Sequence, residues 1–254
     1  MGRVTVGVSL KMFFGHQQAT DWFATVAGRI RDHQAIMTRQ VDFFVIPTYL
    51  QIAPAVTAFA GTPVRVGAQD VATEDTGPYT GEVSAAELAE VGASLAEIGH
   101  AERRALFGET DAVTARKAAA ALRHGLTPVL CLGETSRLDP AAAADAAVAQ
   151  LHADLAGAPA GSLVLAYEPV WAIGATEPAP AGHIHTVIRA LRTAVDALDD
   201  RTGSSVIYGG SAGPGLLTSL DGDADGLFLG RLAHDPDRLA AVLDEAAQLA
   251  KARA

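Results

Sequence analysis

The chain has 254 residues, 49% hydrophobic and 19% charged, with two Trp, enough for the core of one α/β barrel or two small domains. Its formal net charge of −10 argues against a nucleic-acid or anionic-membrane surface, so an anionic ligand needs a local site of backbone N–H groups and one or two cations. Cys131 is the sole cysteine, which excludes an internal disulfide and points to a reducing cytoplasm.

Short apolar runs alternate with longer Ala-rich amphipathic runs. The first strand is expected at 4–8, a run too short and poorly flanked for a signal peptide or a membrane span. Helix 20–31 follows, then strand 43–46, helix 52–59, strand 64–68 and helix 85–91. The pattern continues with strand 94–98, helix 112–124, strand 128–132, helix 141–155, strand 163–167 and helix 181–198. Strand 205–208, helix 216–220, strand 226–229 and helix 236–251 complete it. Eight strand–helix units in about 250 residues fit a closed (β/α)8 TIM barrel, and no Pro/Gly/Ser linker divides 1–254, so one domain is expected. An open doubly wound sheet would want a Gly-rich fingerprint after the first strand, where Ser9-Leu10-Lys11 stands instead. Charged tracts such as Asp32-His33 and Arg201-Thr202 lie at helix ends and read as solvated surface.

Polar residues cluster directly after strands: Lys11, His100, Glu168, Gly209-Gly210-Ser211 and Gly230-Arg231. In a parallel barrel these strand ends share one face, where active sites form. The most informative run is 166–174, Ala-Tyr-Glu-Pro-Val-Trp-Ala-Ile-Gly. An apolar strand delivers one carboxylate, Glu168, and Pro169 stops the ladder. The segment ending in Ile173 and Gly174 is too apolar for an ordinary solvated loop. A base followed by a greasy hinged flap suits chemistry that must exclude water. A helix starting at Ala101 would disfavour imidazolium at His100. Lys11 is a fixed cation, and Glu102 orients it or a partner loop, or else pairs with Arg103 or Arg104. Gly174, Ser211, Gly230 and Arg231 can supply N–H donors or charge for an anionic group. His183 and His185 diverge on a helix with no carboxylate cluster beside them, so no metal is expected, nor any other cofactor.

Ile98-Gly99-His100-Ala101-Glu102-Arg103-Arg104, the run 166–174, Tyr208-Gly209-Gly210-Ser211, Lys11-Met12 and Thr80-Gly81-Glu82-Val83-Ser84 resemble, in order, the signatures of the triosephosphate isomerase family. The resemblance implies Glu168 as base, His100 as the neutral electrophile and Lys11 as the cation for phosphate and developing oxyanion. It also implies a homodimer through the third loop, 76–84, with Thr80 bracing the partner's active site.

The chain departs from the family on its substrate-facing loops. Ser9 stands where the family places an Asn that donates to a substrate oxygen, and Ala101 replaces the usual Ser. Gly230-Arg231 replaces paired glycines, and Phe228 takes the aliphatic position expected to clamp the base. The flap's far hinge, Ala175-Thr176-Glu177-Pro178-Ala179-Pro180, lacks the usual Thr-Gly-Lys. Arg231 either adds a cation near the phosphate or points outward. With base and electrophile retained, the pattern favours the same chemistry on an altered substrate. Ser9-Leu10-Lys11-Met12 with Gly-Leu-Phe-Leu-Gly-Arg at 226–231 is similar to the erythrulose-phosphate isomerase branch, with true triosephosphate isomerase the alternative. Two other readings compete: a Schiff-base aldolase using Lys11, and a non-catalytic phosphate-binding barrel, which would have no need of Glu168.

Overall fold

The computed structural model describes residues 3–220 and 222–253. Eight strands close in sequence order into a parallel barrel: β1 Val4–Ser9, β2 Val41–Ile46, β3 Arg65–Ala68, β4 Leu95–Ile98, β5 Thr127–Leu132, β6 Val164–Tyr167, β7 Ser205–Tyr208 and β8 Gly226–Leu229. The ring is shut by β1 against β8, with Val6 in register with Leu227. Nearly every strand residue is buried, as expected when a parallel sheet is covered on one face by helices and filled on the other by its own side chains.

Alternation along each strand sorts the core into two parts. Outward residues such as Val4, Val6 and Val8 join the large cluster beneath the helices. Inward residues form a smaller cluster that includes Phe44, Ile46, Leu95, Val129, Cys131, Ile207 and Phe228. Gly7 belongs to this packing, because a Cβ there would lie 2.2 Å from the Phe44 ring.

Several helices start where a side chain supplies a cap. Asp139 and Asp235 accept the first free N–H groups of Pro140–Asp154 and Pro236–Ala252, each with Pro in the first turn. Three features depart from the expected pattern. The first helix runs from His16, four residues earlier than its apolar pattern begins, capped by Gly15. A short helix, Gln34–Met37, forms with His33 Nδ1 as its cap and buries Ile36. Arg201 is buried rather than solvated, donating to the Ala158 and Pro159 carbonyls and so tying the turn before β6 to the turn before β7.

Candidate active site

The C-terminal ends of the strands surround one cavity of about 880 Å³. Ser9, Lys11, His100, Glu102, Glu168, Ile173, Gly174, Ser211, Phe228, Gly230 and Arg231 all line it. Among the expected site residues only Thr80 does not. It is exposed on the connection 69–84 between β3 and the next helix.

Glu168 follows β6 directly, with its N–H held by the Leu132 carbonyl at 2.7 Å. Its side chain lies over Gly209, where a Cβ would come within 2.4 Å of Oε1, so the glycine after β7 makes room for the carboxylate. Oε2 is buried without a hydrogen-bond partner and sits 3.5 Å from His100 Nε2.

His100 caps the helix Ala101–Phe107, and its Nδ1 accepts the Glu102 backbone N–H at 3.1 Å. A ring nitrogen that accepts keeps its lone pair, so the neutral ring carries its proton on Nε2, the nitrogen facing Glu168. Lys11 adopts φ +49°, a region a side chain rarely occupies, and Gln69 Nε2 fixes it by donating to the Lys11 carbonyl at 3.0 Å. Lys11 Nζ donates to Glu102 Oε1 at 2.7 Å. Partial burial alone would raise the Glu102 pKa, but the Lys11 hydrogen bond and charge outweigh it and hold the carboxyl below its ordinary value. Arg103 and Arg104 pair elsewhere, with Asp70 and Glu109 and with Asp111 and Asp154.

The family profile of triosephosphate isomerase matches residues 4–246. An L-erythrulose-1-phosphate isomerase of Pectobacterium atrosepticum is 50% identical over 96% of each chain. A triosephosphate isomerase of Alkalilimnicola ehrlichii is 42% identical over 81% of this chain and 86% of its own. Among solved structures, triosephosphate isomerase from Bartonella henselae superposes with a TM-score of 0.80 at 26% identity, over 97% of this chain and 99% of its own.

The chain belongs to the triosephosphate isomerase family.

Departures from the triosephosphate isomerase family's pattern have visible consequences here. Phe228 fills the barrel against Phe44, with ring centroids 5.9 Å apart, as well as lining the cavity. Arg231 is exposed, with its guanidinium 5.7 Å from the Phe13 ring, so it lies at the rim. The altered hinge is held by β7: the Tyr208 hydroxyl accepts the Ala179 N–H at 3.1 Å, and Ser211 Oγ donates to the Ala172 and Ala175 carbonyls. Burial pushes the Tyr208 phenol up to about 12, keeping it neutral.

Several neighbours escaped the sequence reading. Glu134, just after β5, accepts from Trp171 Nε1 at 2.7 Å and meets Tyr167 and His183, fixing the near hinge of the flap. Its place after a strand was a usable signal, the same one that marked His100. Arg238 adds a further cation at the rim. Glu97, inside β4, lines the cavity and accepts from Ser9 Oγ at 2.8 Å. Burial drives its pKa up to about 7; Glu168 adds to the rise, while His100, the Ser9 hydrogen bond and Lys11 oppose it. Among the described residues no group of three or more His, Cys, Asp or Glu is arranged to hold a metal ion, and no helix is long and apolar enough to cross a membrane.

Proposed function

We propose that the chain is a sugar-phosphate isomerase that moves a carbonyl by one carbon through an enediolate, with erythrulose 1-phosphate as substrate and erythrulose 4-phosphate as product. The observation that carries the chemistry is the facing pair: an unpartnered Glu168 Oε2 3.5 Å from His100 Nε2, inside a cavity whose rim holds cations. Glu168 takes the proton from the carbon beyond the carbonyl. His100 donates from Nε2 to the carbonyl oxygen as negative charge grows there, and the hydroxyl proton passes between the two oxygens. Glu168 then returns its proton to the former carbonyl carbon. Lys11 stabilises the anionic oxygen and the phosphate. Gly174 on the flap, Ser211 and Gly230 supply backbone N–H groups for the phosphate, with Arg231 at the rim.

The near-full-length similarity to L-erythrulose-1-phosphate isomerases at 50% and 40% identity supports the four-carbon substrate. The triose reading is favoured by relatives such as the Alkalilimnicola enzyme at 42%. Turnover of L-erythrulose 1-phosphate and glyceraldehyde 3-phosphate by the purified chain separates them. Higher kcat/KM for the four-carbon ketose is expected, and faster triose turnover would overturn the substrate assignment.

A homodimer in the cytoplasm fits the same reading. Exposed apolar side chains follow four consecutive strands at the active-site end: Met12 and Phe13, Tyr49 and Leu50, Tyr79, then Leu106 and Phe107. Such a run suits a subunit interface, with Thr80 on the loop that would reach the partner.

A further inference from the structure

Glu97 is a carboxyl within a barrel strand whose preceding inward residue is apolar. Leu95, two residues earlier on β4, belongs to the cluster that fills the barrel. Glu97 takes the next inward position toward the C-terminal end and lines the cavity. Its hydrogen bond comes from a neutral hydroxyl, Ser9 Oγ at 2.8 Å, and not from a cation. Its titratable and charged neighbours are Glu168, His100 and Lys11, with the buried thiol of Cys131 across the inner wall. An aliphatic residue would pack at this position without the desolvation cost that a carboxyl carries. Beyond its hydrogen bond to Ser9, the carboxyl lines the cavity and can accept from a hydroxyl that enters it.

The strand order says which part of a substrate arrives there. In the closed barrel β4 lies across from β8. A phosphate held at the loops after β7 and β8 directs the rest of the molecule past Glu168 and His100 toward the β1–β4 wall. The carbon that loses its proton carries a hydroxymethyl group in a four-carbon ketose phosphate and none in dihydroxyacetone phosphate.

We infer that Ser9 and Glu97 form a hydroxyl-binding subsite that holds the terminal hydroxymethyl group of the substrate beside the carbon attacked by Glu168. This rests on the four-carbon reading above. Glu97 accepts from the substrate hydroxyl, and Ser9, shorter than the Asn of the family pattern, leaves the volume that the extra group fills. A triose brings no hydroxyl for Glu97 to accept, so Ser9 stays its only side-chain donor and the gain made by the four-carbon substrate is missing. Glu97 is thus a specificity residue, while the base and electrophile remain Glu168 and His100.

The test compares wild type, Glu97→Leu and Glu97→Gln as intact chains, each with L-erythrulose 1-phosphate and with glyceraldehyde 3-phosphate. The ratio of the two kcat/KM values should fall by roughly 100-fold in Glu97→Leu. Glu97→Gln keeps the shape and a hydrogen-bonding oxygen, so its ratio should fall by only about 10-fold. It should also lose the bend near neutral pH in the four-carbon profile, a readout that covers the case in which the Leu variant fails to fold. An unchanged ratio in both variants, with wild type active on the ketose, would overturn the subsite alone. No wild-type turnover of the ketose would instead remove the substrate reading, and the subsite with it.

Discussion

Glu168 and Glu97 are both carboxyl groups buried in the wall of one cavity, yet their surroundings suit the two different tasks proposed for them. Glu168 sits past the end of β6 on the first residues of a flap, with Oε2 unpartnered and aimed at His100. Glu97 sits within β4, fixed by the strand ladder and occupied by Ser9. The first has room, made by Gly209, and an apolar cover in Val170–Ile173. The second has a rigid anchor and a neutral partner. A proton-transfer group benefits from an unclaimed oxygen; a recognition group benefits from one held still.

Shortening the proposed base is the harshest way to break this comparison. Glu168→Asp withdraws the carboxylate by one methylene from the carbon it must reach. Turnover should drop by roughly 10²–10⁴-fold while ground-state affinity changes little, since misplacing a group costs most in the transition state. Initial-rate kinetics with both substrates would read this, and the loss should be similar for each. Near-normal kcat would mean that the proton goes to another group, with Glu97, the other buried carboxyl lining the cavity, the one to examine.

Glu168 was legible in the sequence and Glu97 was not, for a physical reason. Strand ends in a parallel barrel change abruptly from apolar to polar, so Glu168, His100 and Lys11 each announce themselves at a boundary. Glu97 lies inside the run Leu-Ala-Glu-Ile, where a lone polar residue on a strand ordinarily points to solvent. Both faces of a barrel strand are buried, so alternation cannot separate the filled interior from the face under the helices. The eight strands were readable from their apolar runs because closure needs only those runs and their spacing. The helix Ala101–Phe107 lacks an apolar stripe and buries no side chain, which left it visible only as a condition on His100. Arg201 looked solvated because its partners are backbone carbonyls of another connection, which a linear pattern does not reveal.

The comparison can be sharpened from the partner's side. Ser9→Asn restores the residue of the family pattern and places a bulkier amide against Glu97. The preference for the four-carbon substrate over the triose should shift toward the triose by roughly 10-fold, the scale of a crowded or vacated small pocket. Competition between the two substrates in one reaction mixture gives this ratio directly. An unchanged ratio would show that Ser9 does not set substrate length, even if Glu97 does.

The smallest expected effect is thermodynamic and isolates Glu97 from catalysis altogether. Its pKa rises from an ordinary 4.5 to about 7 on folding, chiefly through burial. Between these values the folded chain binds a proton that the unfolded chain has released, so Glu97's contribution to stability falls as pH rises through this window. Above about 7 the carboxylate is charged in both states, and the cost of burying it is present in full. Glu97→Gln is neutral throughout and escapes that cost. Relative to wild type, it should gain roughly 1–3 kcal/mol at pH 8, and the gain should shrink toward zero as pH falls toward 4.5. Urea unfolding of both proteins at matched concentration, at pH 5 and at pH 8, measures the difference. A wild type more stable than Glu97→Gln at pH 8 would mean that the charged group is a net support of the fold. In that case the carboxyl would need no ligand to account for its place in the wall.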